Sequence, residues 1–180
     1  MKSRKSVRKR NGMNQKEIAY KNNTLWCPQT GLTYPLLADD EVPKFFRRIA
    51  KTALRVGREM MGLPEVECRW YRGDPQIHPG GMMDRDKPYV IFLAAPPQNK
   101  WRTGWERGVA EIVGHELAHV LSIHHNRDEL RVAMDCAKKR GVLPTLANWK
   151  IVSEQYADEW SVKVYKRYMR EVAVNGLDSL

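Results

Sequence analysis

The chain has 180 residues, 42% of them apolar, with a formal net charge of +10; this suits one domain with a modest core and excludes a chain disordered throughout. Seven of the ten net charges fall in residues 1–24, where eight Lys and Arg face only Glu17, so the body is nearly balanced and carries a basic tail. No run approaches the ~18 apolar residues of a membrane span, and no apolar stretch follows the basic start as in a secretory signal.

Residues 1–24 show no periodicity and are expected to be a disordered tail that can contact nucleic acid or another polyanion. Residues 25–180 are expected to form the domain. Trp26, Cys27, Pro28, Gly31 and Pro35 predict irregular structure over residues 25–42. Pro43 suits a first helical turn, and a helix is predicted from there to Met61, stopped by Gly62 and Pro64. Its buried stripe is read as Phe45, Phe46, Ile49, Ala53, Val56 and Met60.

Glu65–Arg72 alternates, with Val66, Cys68 and Trp70 on one face, and predicts a strand. Tyr89–Ala94 is continuously apolar and predicts a buried strand, bounded by Pro96 and Pro97. The Gly-, Pro- and Asp-rich stretch between them is read as a long loop, with His78 in it.

Thr103 and Glu106 have the spacing of a capping box, and a helix is predicted from there to about Ile123. Asn126 opens a shorter helix ending at Gly141, and a long helix covers about Leu146–Val174. Cys27, Cys68 and Cys136 are scattered and odd in number, with no CxxC pair. A thiolate zinc ribbon is therefore disfavoured, and a reducing, cytoplasmic setting fits better than a disulfide framework.

Residues 115–119 read His-Glu-Leu-Ala-His. Two histidines four apart on a helix project from one face, one turn apart, so two imidazole nitrogens can meet one zinc ion. Glu116 then stands beside the first ligand, placed to take a proton from a zinc-activated water and pass it to a leaving group.

A catalytic zinc needs a third protein ligand. Glu154, in Glu154-Gln-Tyr-Ala157-Asp158, leads; His125, six residues after His119, is the rival, with His124 behind it. Tyr156, Tyr165 and His125 form the pool of transition-state donors, none assigned.

The motif resembles that of the zincin metallopeptidases, and the order of elements over residues 43–170 resembles a minimal zincin. Glu154 to Asp158 looks like the ExxAD signature of the gluzincin branch, which includes ImmA/IrrE-type peptidases. That resemblance implies that Glu154 binds zinc, that Asp158 orients a ligand histidine, and that small Ala157 lets the two helices approach. A trailing His125 instead resembles WLM and SprT-like peptidases, which act on DNA–protein crosslinks.

The expected fold is α+β: one zincin-like domain with a small, antiparallel sheet, the motif helix and a C-terminal third-ligand helix. Either predicted strand could supply an edge for an extended peptide substrate. The expected activity is zinc-dependent peptide hydrolysis in the cytoplasm, or in a virion if the chain is phage-encoded. The alternatives are a metal-retaining structural or nucleic-acid-associated protein without protease activity, and a purely structural zinc closed by four ligands.

Overall fold

The computed structural model describes residues 23–27, 30–73, 80–84, 87, 89–95 and 105–176. Among these residues the fold is α+β, with four α-helices and one five-stranded sheet. The strands are β1 (Thr24–Trp26), β2 (Thr33–Leu37), β3 (Glu67–Arg72), β4 (Gly81–Met83) and β5 (Val90–Ala95), in the spatial order β1-β2-β3-β5-β4. The sheet is mixed, not antiparallel as expected: β3 runs parallel to β5, pairing Glu67 with Val90 through Arg72 with Ala95, while the other pairs are antiparallel.

Two regions read as irregular hold strands. Residues 25–42 contain the β1–β2 hairpin, which turns at Gly31 with φ 69°. Pro35 sits within β2 without harm. The Leu36 amide donates to Asn23 on the β1 side, so the position-35 amide points to the other edge, where pairing with β3 begins only at Leu36. Thr24 belongs to β1, which moves the edge of the domain into the expected tail; residues 1–22 lie outside the described residues. The long loop before β5 likewise contains β4, whose Met82 pairs with Phe92. His78 and Thr103 lie outside the described residues.

β5 is buried along its whole length because both faces are covered. Ile91, Leu93 and Ala95 join the main core with the helices, whereas Val90, Phe92 and Ala94 pack with Leu25, Tyr34, Tyr71 and Met82 on the opposite side. A strand buried on both faces loses its alternation. That accounts for the unbroken apolar run.

The helices are α1 (Lys44–Met61), α2 (Trp105–Val120), α3 (Arg127–Lys139) and α4 (Leu146–Asn175). α1 ends at Gly62, whose φ of 63° closes the helix as a left-handed cap. Its buried face holds Phe46, Ile49, Ala53 and Val56 as expected, and also Ala50 and Gly57. Phe45 and Met60 are exposed instead, and their neighbours Phe46 and Met61 take the buried places in the first and last turns. Asn126 caps α3 by accepting from the Asp128 amide, and Thr145 caps α4 by accepting from the Asn148 amide.

α2 ends at Val120, earlier than expected, and continues as a π-helical turn over Leu121–His125. α4 lies close against α2. A Cβ on Gly114 would fall 2.9 Å from Val164 Cβ and 3.0 Å from Ser161 Cα, so only a residue without a side chain fits at that crossing. Ala157 and Val164 are fully buried in the same seam. This crossing carries residues of α4 to the C-terminal turns of α2, where the two motif histidines lie.

Candidate metal centre

His115 and His119 stand one turn apart on α2. Their rings are 4.8 Å apart and 78° from coplanar, and the two Nε2 atoms face each other at 3.1 Å. From α4, Glu154 Oε2 approaches to 3.3 Å of His115 Nε2 and 3.7 Å of His119 Nε2. Among the described residues, this is the one group of three or more His, Cys, Asp or Glu whose ligand atoms come together within 4.8 Å.

The triangle has the size of a cation site. Tetrahedral zinc with bonds of about 2.0–2.1 Å spaces its ligand atoms roughly 3.3–3.4 Å apart, and the three edges of 3.1, 3.3 and 3.7 Å bracket that value. Two imidazole nitrogens and a carboxylate oxygen are all electron-rich, so their convergence is repulsive without a proton or a metal ion among them. The residues present therefore fit a divalent cation with nitrogen and oxygen preference. The donor set suits zinc without being exclusive to it.

The far side of His115 is held as well. Its Nδ1 lies 3.0 Å from Asp158 Oδ1. An Nδ1–H donating to that carboxylate leaves Nε2 as the lone-pair nitrogen facing the triangle. The imidazole thus lies between Glu154 and Asp158, two acids at helical i,i+4 spacing that would otherwise repel. Their shared face makes sense because one ring touches both.

Glu116 is buried, at 6% exposure. Burial first, and the charge of Glu154 second, push its carboxyl up to about 8. Its side chain packs under the sheet: a Cβ on Gly81 of β4 would lie 2.7 Å from Glu116 Cγ and 2.8 Å from Oε1. Glycine at this position lets β4 pass directly over the carboxylate. Sequence reasoning missed this residue. The one signal was Gly80-Gly81 ahead of two methionines, a strand too short for alternation to show.

His124 and His125 go elsewhere. His124 Nε2 lies 3.3 Å from the Asp84 carbonyl oxygen, and His125 Nδ1 lies 3.5 Å from the Tyr89 hydroxyl. Tyr89 itself holds a left-handed backbone at φ 66°, an uncommon state for a bulky residue. The π-helical turn thus joins the end of α2 to the β4–β5 connection. Of the other donors considered, the Tyr156 hydroxyl donates to Glu129 of α3, and the Tyr165 ring faces the Arg107 guanidinium at 5.5 Å.

The three cysteines are free thiols, and burial pushes Cys68 up to about 12. No helix among the described residues is long and apolar enough to cross a membrane. Set against protein-family models, curated proteins and solved structures, the chain matches none.

Proposed function

We propose that this chain is a zinc-dependent peptidase of the zincin type, with His115, His119 and Glu154 as metal ligands and Glu116 as the acid–base residue. The observation that carries the reading is the triangle of two imidazole nitrogens and one carboxylate oxygen at zinc-ligand spacing. Bound zinc supplies Lewis acidity, polarising a carbonyl and making water nucleophilic near neutral pH.

The chain's own residues do the rest. Asp158 holds the tautomer and orientation of His115. Glu116 would accept a proton from the attacking water and return it to the leaving amine, a role favoured by its place beside the first ligand histidine. β4 is the terminal strand of the described sheet and lies over Glu116. Its outer backbone groups are the ones an extended peptide would pair with. β3 and β5, the edges expected from sequence, each have strands on both sides and do not serve.

His125, held at Tyr89, contributes no fourth ligand in this reading, which leaves a coordination position for substrate or water. A cytoplasmic setting accompanies the proposal, in keeping with three unpaired thiols.

Glu116→Gln is the test. Wild type and variant should both bind one zinc per chain, and the variant should lose cleavage of an unfolded casein substrate by about 10²–10⁴-fold. Cleavage that survives the substitution would overturn the role of Glu116. No cleavage by either zinc-loaded protein would favour a metal-retaining binding protein.

A further inference from the structure

The body of the protein is close to neutral in sum but not in distribution. α1 carries Lys44, Arg47, Arg48, Lys51, Arg55 and Arg58 against the single acid Glu59. At about 100° per residue these six cations fall within roughly a quarter of the helix circumference, opposite Phe46, Ile49, Ala53 and Val56, which enter the core. The second half of α4 repeats the pattern. Lys163, Lys166, Arg167 and Arg170 share the face opposite Val164 and Tyr168, with Glu171 as the one acid. The first half of α4 holds Glu154, Asp158 and Glu159 instead.

The two stripes belong to one surface. Glu171 lies between them, taking Arg55 Nη2 at 2.9 Å and standing 3.9 Å from Arg167 Nε. These two segments hold eight net positive charges, more than the net charge of residues 25–180 as a whole. Two acids cannot neutralise ten cations, and Lys44, Lys51, Lys166 and Arg170 take part in no hydrogen bond or ion pair among the described residues. The α1 stripe alone spans about 21 Å at 1.5 Å per residue.

We infer that the outer face formed by α1 and the second half of α4 is a docking surface for the phosphodiester backbone of nucleic acid. A rigid row of lysines and arginines answers the dense, regular charge of that backbone, and its binding is driven by counterion release. A membrane is the poorer partner, because α1 and the second half of α4 turn most of their apolar residues to the core and, of the large ones, expose only Phe45, Met60, Val162, Met169 and Val174 among ten cations. The inference does not depend on the metal centre, and it concerns a surface distinct from the basic residues 1–24.

The test compares two full-length triple variants of equal charge. Lys51→Gln/Lys166→Gln/Arg170→Gln removes three unpaired cations from the face. Lys139→Gln/Arg140→Gln/Lys150→Gln removes three from the α3–α4 region. Binding to a fluorescent DNA duplex of about 20 base pairs is followed by anisotropy across a salt series. The face variant should bind about 10–100-fold more weakly, with the slope of log affinity against log salt reduced by about 3, and the control should change less than about threefold.

Equal weakening of both variants would reduce the effect to net charge and overturn the inference. No change in the face variant would assign any binding to residues 1–24 and overturn it equally. A loss confined to phosphatidylserine-containing vesicles, with DNA binding unchanged, would assign the face to lipid instead. Unchanged circular dichroism melting of both variants confirms that they fold.

Discussion

Two pairs of histidines lie within eleven residues of each other and meet opposite fates. His115 and His119 sit on regular α-helix, one turn apart, with their Nε2 atoms 3.1 Å from each other and a carboxylate of a second helix beside them. His124 and His125 are adjacent on a π-helical turn, and each meets the β4–β5 connection. The residue type is the same; what differs is the backbone that presents it and the element that packs against it. A metal centre needs side chains that converge, and i,i+4 spacing on a helix crossed closely by another helix provides that. His124 and His125, adjacent on the turn, instead both lie against the Tyr89 ring, each 6.4 Å from it.

The sharpest way to break this comparison is to delete one member of each pair. His119→Ala should weaken zinc binding on the order of a thousandfold, whereas His125→Ala should change it less than about threefold. Competition with a chromogenic chelator reads both. The reverse ranking would move the centre to the second pair.

Metal-stripped protein offers a second break, through Glu116. Its folded-state pKa of about 8 lies above the ordinary 4.5. The folded state therefore holds the proton more tightly, and the stability contributed by the neutral acid is complete below the unfolded value and lost as pH rises from about 4.5 through about 8. Glu116→Gln has nothing to ionise. In chelator, the variant should exceed the wild type in stability by roughly 2–5 kcal/mol above pH ~8, with the two converging near pH ~4. Denaturant unfolding at a series of pH values measures this. A difference independent of pH would mean that Glu116 ionises freely in the fold.

A smaller effect sharpens the account of His115. Asp158→Asn keeps the shape but weakens the acceptor facing Nδ1, and should lower zinc affinity about 10–100-fold. An unchanged affinity would reduce Asp158 to a solvated surface acid.

Much of this was written in local sequence. The bounds of α1 follow from Pro43 and Gly62, the buried strand β5 from an apolar run closed by two prolines, and α3 from the Asn126 cap. That Glu154 and Asp158 would flank a ligand histidine was implied by the resemblance of residues 154–158 to the ExxAD signature; the ring they flank is that of His115. Gly114, which completes the close crossing, carries no such signal until the partner helix is in place.

What escaped was non-local. β1, β2 and β4 are three to five residues long, too short for alternation, and β2 includes a proline that only its pairing explains. The parallel pairing of β3 with β5 depends on where the chain returns, which no window of sequence contains. The placement of His124 and His125 was equally hidden. A spacing of six after His119 permits a return to the metal, and contacts with Asp84 and Tyr89 take the turn elsewhere.

X-ray absorption at the zinc edge of the loaded full-length protein asks the central question directly, because imidazole scattering counts histidine ligands. The account predicts one zinc per chain, bound by two imidazoles and by oxygen at about 2.0 Å, with Glu154→Gln weakening binding and leaving the imidazole count at two. A third imidazole in the wild type, or a chain that takes up no zinc, would contradict it.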